Sequence, residues 1–164
     1  LYSKSGIEIN AVSRDEEHSL EIELPFLQRA LEKPFRLLPL MLRGRDQRLA
    51  EALGEVLANR LKETSALLVA SSDLSHFYPQ RMAEQLDGEM LTQVAAFSPA
   101  GVLTAELTGK GFACGAAAIA AVLYAARRLG ASEVKLLHYS TSADETGDAS
   151  SVVGYGAAVV LKTG

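Results

Sequence analysis

Short apolar runs alternate with helical spacings along the chain. Five runs of β-branched or apolar residues predict strands, at residues 7–12, 35–41, 66–70, 134–140 and 152–161. Between most of these runs, apolar residues recur every three or four positions, which indicates amphipathic helices. The alternation predicts a single α/β domain over residues 1–164, with a mixed, mostly parallel sheet flanked by helices.

Three helices have clear patterns. Apolar residues at positions 49, 52, 53, 56, 57 and 61 predict an amphipathic helix of about four to five turns. A second helix is predicted to begin with Pro79 as its first residue. Its inner face is expected to carry Met82, Leu86, Met90 and Val94. A third, buried helix is predicted over residues 113–129, with Gly130 as its cap.

Three strand candidates carry information about the sheet. Residues 66–70 form a continuous apolar run, as expected for a strand that is covered on both faces. The last two candidates are separated only by residues 141–151, which leaves no room for a long helix. We therefore expect them to form an antiparallel hairpin, with residues 152–161 as a central strand.

A polar cluster follows directly after the strand candidate at residues 66–70. Residues 71–76 read SSDLSH, and ligands bind outside the carboxyl ends of strands in open α/β sheets. Asp73 and His76 therefore stand where a site is expected. A carboxylate three residues from an imidazole can orient the ring or hold it as a general base. The alternative is a helix-capping Ser/Asp turn with an incidental histidine.

The only cysteine, Cys114, lies between glycines at the predicted start of the buried helix. Helix N-termini stabilise a thiolate and so favour a nucleophile or a metal ligand. The alternative is a small residue buried in the core. A single cysteine excludes an internal disulfide and fits a reducing compartment, so we expect a cytoplasmic protein.

Two further polar segments have both a functional and a structural interpretation. His18 and Ser19 predict the entry of a helix with Glu21 and Glu23 in its first part, and Pro25 would kink or split that helix. Glu17 and His18 could face a cleft as a polar pair, or the segment could be the start of a solvated acidic helix. Residues 140–148 form a polar loop, which is either a surface turn or the rim of a pocket.

Composition narrows the possible classes of protein. Hydrophobic residues make up 48% and charged residues 22%, with a net charge of −4 and no basic block. We therefore expect neither nucleic acid nor membrane as a partner, since no apolar run reaches the roughly 18–20 residues that span a bilayer. Common nucleotide-binding, hydrolase-elbow and zinc-helix motifs are absent. His138 lies within a strand candidate and is expected to be packed.

Four stretches together resemble the Memo family, also called the AmmeMemoRadiSam system protein B group. They are residues 17–27 (EHSLEIELPFL), 71–76 (SSDLSH), 113–115 (ACG), and 146–148 (TGD) with 152–157 (VVGYGA), in the family's order. The resemblance implies a fold similar to that of class III extradiol dioxygenases, which bind non-haem iron with two histidines and a carboxylate.

The resemblance also implies roles for particular residues. Cys114 matches a metal-binding cysteine that stands where the dioxygenases have their carboxylate. His76 matches the catalytic acid/base, and Asp73 accompanies it. The pocket around them would be lined by Glu17, His18, Ser72 and Gly115.

The matching stretches correspond to the carboxyl-terminal portion of the family. Its pair of metal-binding histidines belongs to the amino-terminal portion, and neither His18 nor His138 replaces that pair. We therefore expect iron or copper in the intact protein, and weak or absent binding by this chain alone. The chain does not begin with Met and runs at once into residues 7–12. We expect an entry into the middle of a fold, with apolar surface exposed or covered by a missing portion or an oligomer.

Three classes of function remain open. A metal-dependent redox enzyme would use this pocket to convert a small molecule such as an aromatic diol. A non-catalytic binding module would use the same pocket to hold a peptide or a small ligand. The third class is a partner or maturation factor that works with a radical enzyme, which the family's group name suggests.

Overall fold

The chain combines six helices with a small sheet in the part that the structure describes. The computed structural model describes residue 7, residues 10–13 and residues 17–163. In chain order the elements are α1 (Ser19–Ala30), α2 (Gln47–Leu61), β1 (His76–Tyr78), α3 (Gln80–Ala95), α4 (Pro99–Leu107), α5 (Ala116–Arg128), β2 (Glu133–Thr141), α6 (Ala143–Thr146) and β3 (Val152–Leu161). The predicted α/β class is confirmed.

The sheet has the strand order β1-β3-β2, and both pairs are antiparallel. β3 pairs with β2 from Glu133 opposite Leu161 to Thr141 opposite Gly154. This register confirms the predicted hairpin and the central position of the last strand. The prediction of a mostly parallel sheet is wrong for the described residues, because the runs that would have been its parallel strands are unpaired.

Two predicted strands, residues 35–41 and 66–70, are not strands in the structure. No backbone hydrogen bond joins either segment to another described residue. A strand forms only where a neighbour satisfies its N–H and C=O groups, and an apolar run does not supply that neighbour. The candidate at residues 7–12 lies partly outside the described residues, and its described members, 7 and 10–12, are not in a strand.

The helices follow their apolar patterns, with local corrections. α2 has the predicted extent, and its first turn is capped by the Asp46 carboxylate, which accepts the Arg48 N–H at 2.8 Å. α3 begins one residue after Pro79, which is its N-cap rather than its first residue. Its inner face is as predicted except for Met82, which is 44% exposed. α1 is a single helix, so Pro25 does not split it.

The buried helix α5 begins at Ala116, three residues later than predicted, and ends at Arg128, one residue earlier than predicted, with Leu129 as its C-cap. Gly130 has a φ of 90°, and its N–H donates a hydrogen bond to the Arg127 carbonyl. Positive φ favours glycine at this position, which confirms the predicted cap. The sequence did not predict α4 or β1. No helix within the described ranges is long and apolar enough to span a membrane.

The core lies where α5 packs between α2 and α4. Its α5 side is made almost wholly of small residues: Ala116, Ala117, Ala120, Ala121 and Ala125. On α2, a Cβ added at Gly54 would lie 2.5 Å from the Tyr124 Cβ and 2.9 Å from the Ala121 carbonyl oxygen. The two helices therefore approach so closely that this position has no room for a side chain.

Gly54→Ala is expected to lower the free energy of unfolding by about 1–3 kcal/mol, because overpacking forces the two helices apart. Urea unfolding followed by far-UV circular dichroism measures the change. Gly88→Ala is the matched control: it is also helical, and nothing lies within 4 Å of its added Cβ. The control should be neutral or stabilising by up to ~1 kcal/mol. Equal losses in both variants would contradict the close helix contact.

Candidate functional site

The Cys114 thiol contacts the segment that contains Asp73. Its Sγ accepts the Asp73 N–H at 3.3 Å and lies 3.6 Å from the Ser72 Oγ. In return, the Cys114 N–H donates to the Asp73 carbonyl at 3.2 Å. Cys114 is exposed and precedes Gly115, the N-cap of α5, so it lies just before the helix rather than inside its first turn.

Ser72 and Gly115 hold these two segments together. The Gly115 N–H donates to the Ser72 Oγ at 2.8 Å. A Cβ at position 115 would lie 2.7 Å from the Ser71 carbonyl oxygen, so the close approach requires glycine. Both residues were predicted to line the pocket, and the structure places both beside the thiol.

Asp73 also connects the thiol to His76. Its Oδ2 lies 3.4 Å from the His76 Nε2, with the aspartate side chain half exposed and the imidazole 28% exposed. The two groups lack hydrogen-bond geometry at this separation, so the buried Nε2 has no hydrogen bond among the described residues. The rings of Phe77 and Phe112 flank the imidazole, at centroid distances of 5.8 and 5.6 Å.

The backbone is strained next to this histidine. Phe77 has a φ of 63°, a conformation that costs a bulky residue about 1–3 kcal/mol and persists only where its surroundings impose it. It occupies the middle of β1, where the pairing of His76 and Tyr78 with β3 is irregular. Strain of this kind concentrates at functional sites.

The segment with Glu17 and His18 lies beside the same loop. The Ser71 Oγ donates to the Ser19 carbonyl at 2.9 Å, which ties the start of α1 to residues 71–76. Glu17 accepts the Ser19 N–H at 2.9 Å, and this backbone hydrogen bond is the main reason that the pKa of Glu17 lies below its usual value. Glu17 thus supports the helix start, and His18 is the exposed N-cap residue.

Asp87 on α3 is a fully buried carboxylate that binds the loop 71–76 through a hydrogen bond. Its Oδ1 accepts the Ser75 N–H at 2.8 Å, and its Oδ2 accepts the Tyr139 O–H at 2.9 Å. A Cβ at Gly154 would lie 1.9 Å from Oδ2. Burial, followed by the hydrogen bond to Asp87, raises the pKa of Tyr139 above its usual value.

Asp87 was missed because a charged residue is expected to face solvent. The available signal was its spacing, since it follows the buried Ala83 by four positions and precedes Met90 by three. A carboxylate on the inner face of an amphipathic helix needs hydrogen-bond donors. Here two donors come from a loop and a strand that are distant in sequence.

The remaining two candidates are His138 and the polar loop that follows β2. His138 is exposed on β2, beside an irregularity in the pairing with β3, so the prediction that it is packed is wrong. Residues 141–148 contain the short helix α6, whose C-cap residue Gly147 has a φ of 73°. Thr141 joins this loop to the start of α3 by donating to the Gln80 side-chain oxygen at 2.7 Å.

The donor set of the described residues does not by itself fit iron or copper. No three His, Cys, Asp or Glu side chains gather there as a metal site would require. The sulfur of Cys114 has a backbone N–H and a hydroxyl as its hydrogen-bonding neighbours. A stable site needs more ligands than one thiolate.

Tyr139→Phe is expected to lower the free energy of unfolding at neutral pH by about 1.5–3 kcal/mol, because the buried Asp87 loses one of its two donors. The raised pKa gives the sign of the pH dependence. The stabilising contribution of the Tyr139–Asp87 hydrogen bond is complete below pH 10, the ordinary pKa of tyrosine. It is lost as the pH rises through the higher pKa that Tyr139 has in the folded state.

Urea unfolding of the wild type and Tyr139→Phe at several pH values should therefore give curves that converge above pH 10. Tyr155→Phe is the control, because Tyr155 is 43% exposed and its loss should change stability by less than about 0.5 kcal/mol. A difference that grows with pH would be inconsistent with the Tyr139–Asp87 hydrogen bond.

Comparison with known proteins gives one consistent family. The profile of the Memo-like protein family matches residues 2–159. A MEMO1 family protein of Methanosarcina mazei is 34% identical over 158 residues, which cover 95% of this chain and 59% of that protein. A MEMO1 family protein of Nitrosopumilus maritimus is 36% identical over 151 residues, covering 92% and 55%. The chain thus spans somewhat more than half the length of these relatives, and it belongs to the Memo-like protein family.

Proposed function

We propose that this chain carries the thiol and the acid–base pair of a metal-dependent redox centre. The observation that supports the proposal is the position of Asp73. Its N–H bonds the Cys114 sulfur at 3.3 Å, and its carboxylate lies 3.4 Å from the His76 ring. One residue thus links a soft nucleophile to an imidazole, although the two are far apart in sequence.

In this proposal His76 is the general acid or base and Asp73 orients its ring, since the Asp73 Oδ2 lies 3.4 Å from the His76 Nε2. A carboxylate beside an imidazole can fix the orientation of the ring for proton transfer. The two flanking phenylalanine rings fix the imidazole in one orientation.

Cys114 has the second role. An N–H directed at its sulfur stabilises negative charge there, and a thiolate is a good ligand for iron or copper. We propose iron or copper as the cofactor of the intact protein, with Cys114 as one ligand. The other ligands would have to come from outside the described residues, so we assign no reaction step to the metal.

Metal analysis tests the role of Cys114. The native protein that contains this sequence is expected to hold near-stoichiometric iron or copper by plasma mass spectrometry. Cys114→Ser preserves the side-chain shape but removes the thiolate, and should lower the metal content at least ~10-fold. Full metal content in this variant would remove Cys114 from the site.

Catechol oxidation tests the acid–base pair. Oxygen uptake with catechol should fall by about 10²–10⁴-fold in His76→Ala, the range for loss of a general acid or base. His138→Ala is the matched control, because that histidine is exposed on β2, and it should keep full activity. Unchanged turnover in His76→Ala would contradict the assigned role. A metal-free protein that still binds a peptide or small ligand would instead favour the non-catalytic module.

A further inference from the structure

The middle of the loop 71–76 is bound by two regular elements. The Leu74 N–H donates to the Gly154 carbonyl on β3 at 2.9 Å, and the Gly154 N–H donates to the Ser75 carbonyl at 2.8 Å. The Ser75 N–H donates to the Asp87 Oδ1 on α3 at 2.8 Å. Three hydrogen bonds thus fix two successive residues of the loop against α3 and β3.

The groups of the candidate site lie on either side of these fixed residues in sequence. Asp73 comes directly before Leu74, and its N–H donates to the Cys114 sulfur at 3.3 Å. His76 comes directly after Ser75. Each residue has only two soft backbone dihedrals, so a displacement at Ser75 is passed on to its neighbours. The hydrogen bonds at residues 74 and 75 therefore affect both the N–H that faces the thiol and the imidazole.

Asp87 is the only charged group among the partners of these two residues. A hydrogen bond to a carboxylate is roughly twice as strong as one between neutral groups. The Tyr139 O–H holds the second oxygen, Oδ2, at 2.9 Å. A Cβ at Gly154 would lie 1.9 Å from the same oxygen, so β3 approaches the carboxylate closely. These contacts leave the fully buried carboxylate little room to move, and it holds Ser75 in one place.

A carboxylate at this position lowers the stability of α3. The other buried residues of this helix are all apolar: Ala83, Leu86, Met90 and Val94. Burying a charge among them requires its desolvation, and an apolar side chain would avoid that cost. Proteins hold functional groups in a productive geometry by such supporting hydrogen bonds.

We infer that Asp87 is a positioning residue of the candidate site and acts through the Ser75 N–H. It holds the loop so that Asp73 contacts both the Cys114 thiol and the His76 ring. This inference rests on the proposed function, because it assigns Asp87 a part in keeping the thiol and the acid–base pair together.

Alkylation of Cys114 by iodoacetamide tests the inference without metal or turnover. The thiolate is the nucleophile, and the Asp73 N–H stabilises negative charge on the sulfur. In the full-length protein treated with a chelator, Asp87→Leu should slow alkylation at neutral pH by about 3–10-fold, which corresponds to the loss of one hydrogen bond. Asp87→Asn retains an oxygen that accepts the Ser75 N–H, and its rate should stay within about 2-fold of the wild type. Peptide mass spectrometry measures the labelled fraction.

Two further variants make the test decisive. Val102→Ala is the matched control, because Val102 is also fully buried but lies on α4. It should lower stability and leave the alkylation rate unchanged. Tyr139→Phe removes only the donor to Oδ2 and should slow alkylation about 2–3-fold, so it tests the inference even if Asp87→Leu does not fold. Wild-type rates in whichever of these two variants fold would overturn the inference. Equal slowing by Val102→Ala, or by Asp87→Asn and Asp87→Leu, would also overturn it.

Oxygen uptake with catechol separates this inference from the proposed function. Asp87→Leu should lower kcat by about 10²-fold with little change in KM, because a misplacement of about 1 Å can have such an effect. Asp87→Asn should restore most of the turnover. Absence of oxygen uptake in the wild type would contradict the redox function, whereas the alkylation rates would still decide whether Asp87 positions the loop.

Discussion

Hydrogen bonds from the segment 71–76 to two distant parts of the chain hold the candidate site together. On one side, the Ser72 hydroxyl accepts the Gly115 N–H at 2.8 Å, which brings the thiol of Cys114 against Asp73. On the other side, Asp87 accepts the Ser75 N–H at 2.8 Å. Each of these bonds joins a backbone N–H to a side-chain acceptor, so the position of the loop depends on the side chains of Ser72, Cys114 and Asp87.

These hydrogen bonds explain how the chain tolerates two features near the loop 71–76 that lower its stability, a buried carboxylate and a strained backbone. A buried carboxylate without a cation among the described residues is unfavourable unless donors satisfy it, and Ser75 and Tyr139 supply those donors. The left-handed backbone of Phe77 adds strain next to His76. Folded proteins retain such costs where rigid support of functional groups is needed. The support comes from α3 and β3, which are regular elements and hold the loop more rigidly than another loop would.

The parts of the fold that depend on neighbours in sequence were predictable, and those that depend on distant partners were not. The β2–β3 hairpin followed from two apolar runs with a short connection, and the Gly130 cap from its place after a helical pattern. Residues 35–41 and 66–70 resembled strands because their composition suits burial, yet strand formation requires a pairing partner. Within the site, spacing suggested Asp73 with His76, and only the family resemblance connected them with Cys114. Asp87 has no local signal that distinguishes it from a solvated carboxylate except its helical phase.

The candidate site is supported on some sides and not on others. The loop 71–76 makes hydrogen bonds with Asp87 on α3 and with Gly115 at the start of α5. Residues 66–70, which lead into this loop, make no backbone hydrogen bond with another described residue. The loop's own hydrogen bonds, rather than the segment before it, therefore fix its conformation among the described residues.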